Sequence, residues 1–178
     1  MKSKALFLDR DGVINVEKNY VYRIQDFEFQ PHVFEVLQKF QSENYLLIII
    51  TNQAGVAKGY YSEEDFHILN NWMLEQFQKA DVNITNVYYC PFHLNGAPPY
   101  NQDSFNRKPN PGMIFAARDE FLIDLEASVL IGDQESDILA GINAGIKKNV
   151  LLTKVEQRGQ KTLANGIIHD ISELVMWL

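Results

Sequence analysis

Ala5-Leu6-Phe7-Leu8-Asp9-Arg10-Asp11-Gly12-Val13-Ile14 sets the pattern that the rest of the chain repeats. A run of large apolar residues that stops abruptly at two acids and a glycine reads as a buried parallel strand whose tip carries carboxylates into a cleft. On extended backbone, side chains two residues apart share a face, so Asp9 and Asp11 are expected on one side and Arg10 on the other. Two acids so close repel, and a cation is expected between or beside them. Gly12 lets the chain turn tightly with no Cβ to block a ligand. Taken alone, the stretch is also compatible with a strand that ends in a solvated acidic turn.

Working outward, the same pattern recurs. Tyr45 to Ile50 is a second apolar strand, and it ends at Thr51-Asn52-Gln53. Ile84 to Tyr89 is a third, Ser128 to Ile131 a fourth ending in Gly132-Asp133, and Asn149 to Leu152 a fifth, with a further strand or turn near Ile167. Between them lie helices. One opens at Pro31 and runs to about Glu43 with Val33, Val36, Leu37 and Phe40 on one face. Another follows Ser62 as its N-cap and runs to about Lys79. A third is expected from Asn110 as cap with Pro111 in the first turn, a fourth spans Glu135 to Ala144 and is closed by Gly145, and a last one ends at Trp177. Asn15 to Gln30, Gln53 to Tyr61 and Cys90 to Asn106 read as loops. Strands alternating with helices predict an α/β fold, a Rossmann-like three-layer sandwich around a mainly parallel sheet of five or six strands. Ligands of such sheets bind beyond the carboxyl ends of the strands. Asp9 and Asp11, Thr51 and Asn52, and Asp133 all fall at such ends.

Bulk properties narrow the function. The 178 residues suit one domain spanning 1–178. A net charge of −7 without any Lys/Arg block disfavours nucleic acid as partner, while a small anionic substrate needs only local positive charge. The single cysteine, Cys90, forms no internal disulfide, which suggests a reducing, cytoplasmic setting. Asp9 and Arg10 cut the first apolar run too early for a signal peptide, and no stretch is apolar enough to cross a membrane. A monomer is expected. His32, His67, His93 and His169 have no mutual spacing suited to a metal and read as surface or packing residues.

Four pieces stand in order: Asp9-Arg10-Asp11-Gly12, Thr51-Asn52-Gln53, Arg107-Lys108-Pro109, and Gly132-Asp133 with Asp137 behind it. Together they resemble the haloacid dehalogenase (HAD) superfamily of phosphatases over nearly the whole chain. The resemblance implies that Asp9 attacks phosphorus and becomes an aspartyl phosphate, and that Asp11 protonates the leaving alcohol and later takes a proton from water. It implies Mg²⁺ held by Asp9, the Asp11 carbonyl and Asp133. Thr51 would bind phosphate oxygens, Lys108 would supply positive charge, and Asp137 would orient Lys108 or the metal's waters. The gaps between motifs are short, so the chain looks capless, with an open cleft bounded by Val16 to Phe27, Gln53 to Tyr61 and Pro91 to Asn106.

Longer phrases, among them Thr51-Asn52-Gln53-Ala54-Gly55-Val56-Ala57-Lys58-Gly59 and Arg107-Lys108-Pro109-Asn110-Pro111-Gly112-Met113, look like the D-glycero-D-manno-heptose 1,7-bisphosphate 7-phosphatases of lipopolysaccharide or capsule precursor synthesis, and the related histidinol-phosphate phosphatases. A small phosphorylated sugar is then the expected substrate, with Asn52, Gln53, Lys58 and Arg107 as its contacts, Arg107 because a guanidinium grips phosphate bidentately. The sequence also departs from that pattern. Cys90 is retained, but Phe92, Ser104 and Asn106 stand where the subfamily's other zinc ligands belong, so no structural zinc is expected, and Phe92 and Phe105 are expected to pack the loop instead. Gln134 stands where many relatives have lysine. Two other classes compete, a receiver domain and a noncatalytic sugar-phosphate binder. Tyr88-Tyr89-Cys90 at the end of the third strand argues against the first, and the intact Asp9 and Asp11 against the second.

Overall fold

A computed structural model describes residues 2–154 and 161–178. Six strands form one parallel sheet: β1 (Lys4–Leu8), β2 (Tyr45–Asn52), β3 (Ile84–Cys90), β4 (Val129–Gly132), β5 (Lys148–Leu152) and β6 (Gly166–Ile168). Their order is β3-β2-β1-β4-β5-β6, so the chain builds outward from β1 in one direction and then returns to build from it in the other. The reversal lies between β1 and β4, the position at which a doubly wound sheet opens a crevice.

Continuous apolar runs such as Leu46-Leu47-Ile48-Ile49-Ile50 suit strands covered on both faces. Alternate residues serve opposite layers. Leu6, Leu8, Leu47, Ile49, Val129 and Ile131 face the core built with α1 (Val33–Ser42) and α3 (Glu63–Lys79). Ala5, Phe7, Ile48, Ile50 and Leu130 face the core built with α4 (Gly112–Phe121) and α5 (Glu135–Ala144). Among the described residues no helix is long and apolar enough to cross a membrane.

Several elements differ from those expected. The first long helix starts at Val33 rather than Pro31, because His32 before it sits in the left-handed region at φ 63°. Pro111, not Asn110, is the residue flanking α4, and the Asn110 side chain instead donates to the Ser104 carbonyl at 3.1 Å. The stretch from Gln53 to Tyr61 contains one helical turn, α2 (Ala54–Ala57), and the chain ends in a 3₁₀ helix, Ile171–Trp177. The start of α3 is as expected: the Ser62 hydroxyl accepts from the Asp65 N–H at 3.1 Å and the Asp65 carboxylate accepts from the Ser62 N–H at 2.8 Å. Ser62→Ala removes one half of this box, and a loss of about 1 kcal/mol is expected in urea unfolding.

Candidate active site

The cleft above the sheet has a volume of about 410 Å³ and is walled by the ends of β1 and β2, by Glu17, Asn19 and Tyr20 of the loop after β1, by Arg107 and Lys108, and by the segment from Asp133 to Asp137. Its floor is a buried ion cluster. The Lys108 ammonium donates to Asp9 Oδ1 at 2.7 Å and to the Ile50 carbonyl at 2.8 Å, and it lies 2.6 Å from Asp137 Oδ1. These three acceptors match its three protons. Burial alone would drive a lysine pKa down; Asp137 and Asp9 reverse this, and the net shift is upward, so Lys108 is charged.

Asp9 shows the opposite balance. Burial raises its pKa well above the ordinary carboxylate value, Lys108 opposes this, and Asp137, Asp133 and Asp11 raise it further. Asp133 is likewise pushed up, to about 6, by burial and by Asp137. One lysine is therefore too little positive charge for this many acids. Carboxylate oxygens of Asp9, Asp133 and Asp137 lie within 4.8 Å of one another, and Asp133 Oδ1 is buried without a hydrogen-bond partner. Asp137 is already committed, with one oxygen on Lys108 and the other accepting from the Gln134 N–H at 3.0 Å. Asp9 and Asp133 are left to hold a hard divalent cation such as Mg²⁺, and an all-oxygen donor set fits one. Gly12, at φ +88°, makes the approach possible: a Cβ there would lie 2.3 Å from Asp133 Oδ2.

Asp11 lines the same cleft, but Arg10 does not point away. The side chain of Arg10 is fully buried and folds back onto Asp11, with Nη2 2.9 Å from each carboxylate oxygen and 2.8 Å from the Val21 carbonyl. The strand ends at Leu8, and residues 10–15 form a turn in which the N–H groups of Ile14 and Asn15 both donate to the Arg10 carbonyl, so strand alternation no longer applies. Asn15 and Gln53 complete the cradle with amide donors at 3.1 Å each.

Comparisons with known proteins agree with this geometry. The HAD-hydrolase-like family model matches residues 105–174. The D-glycero-alpha-D-manno-heptose-1,7-bisphosphate 7-phosphatase of Campylobacter jejuni is 49% identical over 159 residues, covering 89% of this chain and 88% of its own. The enzyme of the same name from Burkholderia mallei is 44% identical over 100% of this chain and 95% of its own. The beta-anomer enzyme of Pasteurella multocida is 41% identical over 96% and 94%. The chain belongs to this family of HAD-like phosphatases. Among solved structures, a Mesorhizobium loti protein described as a HAD-like phosphatase superposes with a TM-score of 0.88 at 30% identity, over 98% of this chain and 84% of that one. The D,D-heptose 1,7-bisphosphate phosphatase of B. bronchiseptica, crystallised with magnesium and phosphate, shares the fold with a TM-score of 0.82 at 21% identity, over 98% and 99%.

Within the phosphatase, the residues singled out from sequence fall into two groups. Asp9, Asp11, Asn52, Gln53, Arg107, Lys108, Asp133 and Asp137 all line the cleft, with Thr51 buried just behind Gln53. Asn52, however, spends its amide on the protein: it accepts from the Lys108 N–H and donates to the Lys108 carbonyl, both at 3.0 Å, and so sets the lysine loop against β2. Lys58 is not a lining residue. Its ammonium donates to the Tyr20 hydroxyl at 2.7 Å in an exposed hydrogen bond. The third wall is formed by Arg107 and Lys108 rather than by Pro91 to Asn106.

The long loop is held by hydrogen bonds. Ala97 N–H donates to the Ala57 carbonyl at 2.7 Å, the Tyr100 hydroxyl to Glu63 at 3.0 Å, and Arg107 to the Phe92 carbonyl at 3.3 Å. Phe92 is half-buried near Tyr100, but Phe105 is 61% exposed beside Phe115 and does not pack the loop interior. Gln134 donates to Asp133 at 3.0 Å. Arg10, Asn15, Glu17, Tyr20 and Tyr61 were not singled out from sequence, since neither spacing nor residue type distinguishes them from packing residues.

Raised pKa values at Asp9 and Asp133 mean that the folded, metal-free protein binds more protons than the unfolded chain between about 4 and about 6. Ionisation of these groups therefore opposes folding, and their contribution improves as pH falls through that window. A divalent cation needs the ionised forms. The rise in melting temperature produced by Mg²⁺ is expected to be larger at pH 7.5 than at pH 5.5; an equal or reversed difference in calorimetry would contradict the assignment.

Proposed function

We propose that this phosphatase removes the 7-phosphate of D-glycero-D-manno-heptose 1,7-bisphosphate, using Asp9 as nucleophile and Asp11 as general acid and base. The observation that carries the substrate is full-length similarity at 49% and 44% identity to relatives that bear that name. The geometry of Lys108 on Asp9 supports the mechanism. We place the enzyme in the cytoplasm, as one domain acting as a monomer on a soluble sugar phosphate.

Asp9 Oδ1 is held by Lys108, which aims the other oxygen for in-line attack on phosphorus. The bond from phosphorus to the heptose oxygen breaks as the aspartyl phosphate, a mixed anhydride, forms, and a protonated Asp11 gives its proton to the departing alkoxide. In the second displacement Asp11 takes a proton from water, whose oxygen attacks phosphorus, and the Asp9 carboxylate leaves with its original electron pair. Mg²⁺, held by Asp9, Asp133 and the Asp11 carbonyl, supplies neutralisation of phosphoryl charge when bound. Thr51 receives a phosphate oxygen. Lys108 has no spare proton in its present contacts, so its part is to keep Asp9 ionised and oriented. Arg107 at the rim of the cleft is suited to the distal phosphate.

Asp9→Asn should reduce Mg²⁺-dependent phosphate release at least ~10³-fold, the scale of losing a covalent nucleophile. Retention of near-normal turnover would dispose of the mechanism. A panel of both heptose bisphosphate anomers, histidinol phosphate and hexose phosphates tests the substrate, with the highest kcat/KM expected on a heptose bisphosphate. Because the loop from Cys90 to Asn106 closes through protein hydrogen bonds, elemental analysis of chelator-washed protein is expected to find no stoichiometric zinc.

A further inference from the structure

Gln53 lies between Asp11 and Thr51, two of the groups just assigned, is 1% exposed, and makes three hydrogen bonds with its amide. Its Nε2 lies 3.1 Å from Asp11 Oδ2 and 2.8 Å from Thr51 Oγ1, and its Oε1 lies 2.5 Å from the Tyr61 hydroxyl. The direction of each bond follows from chemistry. Asp11 Oδ2 is an acceptor that already takes a hydrogen bond from the Arg10 guanidinium, so the NH₂ group of Gln53 faces it. That turns the amide carbonyl toward Tyr61, whose hydroxyl must then donate. Burial raises the Tyr61 pKa above its ordinary value, which keeps the phenol neutral and able to do so. Since Thr51 Oγ1 accepts from Gln53, the Thr51 hydroxyl proton is free to be donated elsewhere, and the cleft is where an acceptor oxygen would arrive.

Tyr61 is itself held. It is buried, its ring stacks on Tyr22 with centroids 5.1 Å apart, and it occupies space that exists only because residue 55 is glycine: a Cβ there would lie 2.1 Å from the Tyr61 ring. The hydrogen-bond chain from Tyr61 through Gln53 thus starts from a fixed point and branches to the two groups that must be aimed.

We propose that Gln53, oriented by the Tyr61 hydroxyl, is a positioning residue that turns the Thr51 hydroxyl toward the phosphate and holds the Asp11 carboxylate within reach of the leaving oxygen. Gln53 then acts through Thr51 and Asp11 rather than as a substrate contact. The inference rests on the roles proposed above for those two residues. It predicts a dependence on the leaving group. An alkyl ester needs the Asp11 proton, whereas p-nitrophenolate departs without one, so a misplaced Asp11 costs more on the alkyl ester.

The test compares Gln53→Leu, Tyr61→Phe, the double variant and Asp9→Asn on p-nitrophenyl phosphate and on an alkyl ester, the heptose bisphosphate or a hexose phosphate. For Gln53→Leu, kcat is expected to fall about 100-fold on the alkyl ester and about tenfold on the aryl ester. Tyr61→Phe is expected to lose about fivefold on the alkyl ester with Gln53 present and nothing further in the Gln53→Leu background, since the two act as one unit. Equal losses on both esters, or the same Tyr61→Phe factor in both backgrounds, would overturn the inference, because general loosening of the fold predicts that pattern. If Gln53→Leu does not fold, Tyr61→Phe decides on the ester comparison alone. An active Asp9→Asn protein would instead remove the reading of the site on which this inference stands.

Discussion

A buried ammonium between two buried carboxylates is the constraint on which the rest depends. Lys108 lies within 2.7 Å of both Asp9 and Asp137, and none of the three has appreciable solvent to share its charge. Removing charges from water is costly, and a buried pair repays this only with good geometry and full hydrogen bonding. That requirement explains the surrounding construction. The Ile50 carbonyl takes the third ammonium proton, Asn52 clamps the Lys108 backbone, and the Gln134 N–H takes the second oxygen of Asp137. The cluster is still short of positive charge, and Asp133 shows the deficit as a raised pKa and an oxygen without a partner. A functional site kept in this condition is poised to take up a cation and an anionic substrate together.

A second arrangement keeps another carboxylate of the cleft apart from this cluster. Asp11 is only two residues from Asp9, yet its charge is met by Arg10, Asn15 and Gln53 rather than by Lys108. Two neighbouring acids thus receive different environments, the condition under which one fold can give them different tasks. Arg10 also bonds the Val21 carbonyl, so the loop after β1, which forms one wall of the cleft, is tied to the same guanidinium that holds Asp11. The wall of the cleft and the Asp11 carboxylate share one anchor.

The sheet made the site legible. Because parallel strands carry their functional residues at one end, Asp9, Thr51 and Asp133 could be grouped before any coordinates were known, from apolar runs that stop at polar residues. The reversal of strand order beside β1 supplies the physical crevice. Lys108 was less accessible to such reasoning. It lies in a loop between β3 and α4, with no periodicity to place it, and only its resemblance to a known motif drew it into the group.

Residue type and local order were enough for the alternation of strands and helices and for the place of Asp9, Thr51 and Asp133 at strand ends, because both are properties of the local chain. Tertiary structure alone decided which acid pairs with which cation. Arg10 folds back onto Asp11 because the strand ends at Leu8 and the following turn buries the guanidinium. Lys58 bonds the Tyr20 hydroxyl, and the Gln53 amide bonds Tyr61. Those choices depend on packing between segments far apart in the chain, and a buried charge or amide must take whatever complementary partner that packing brings within hydrogen-bond reach.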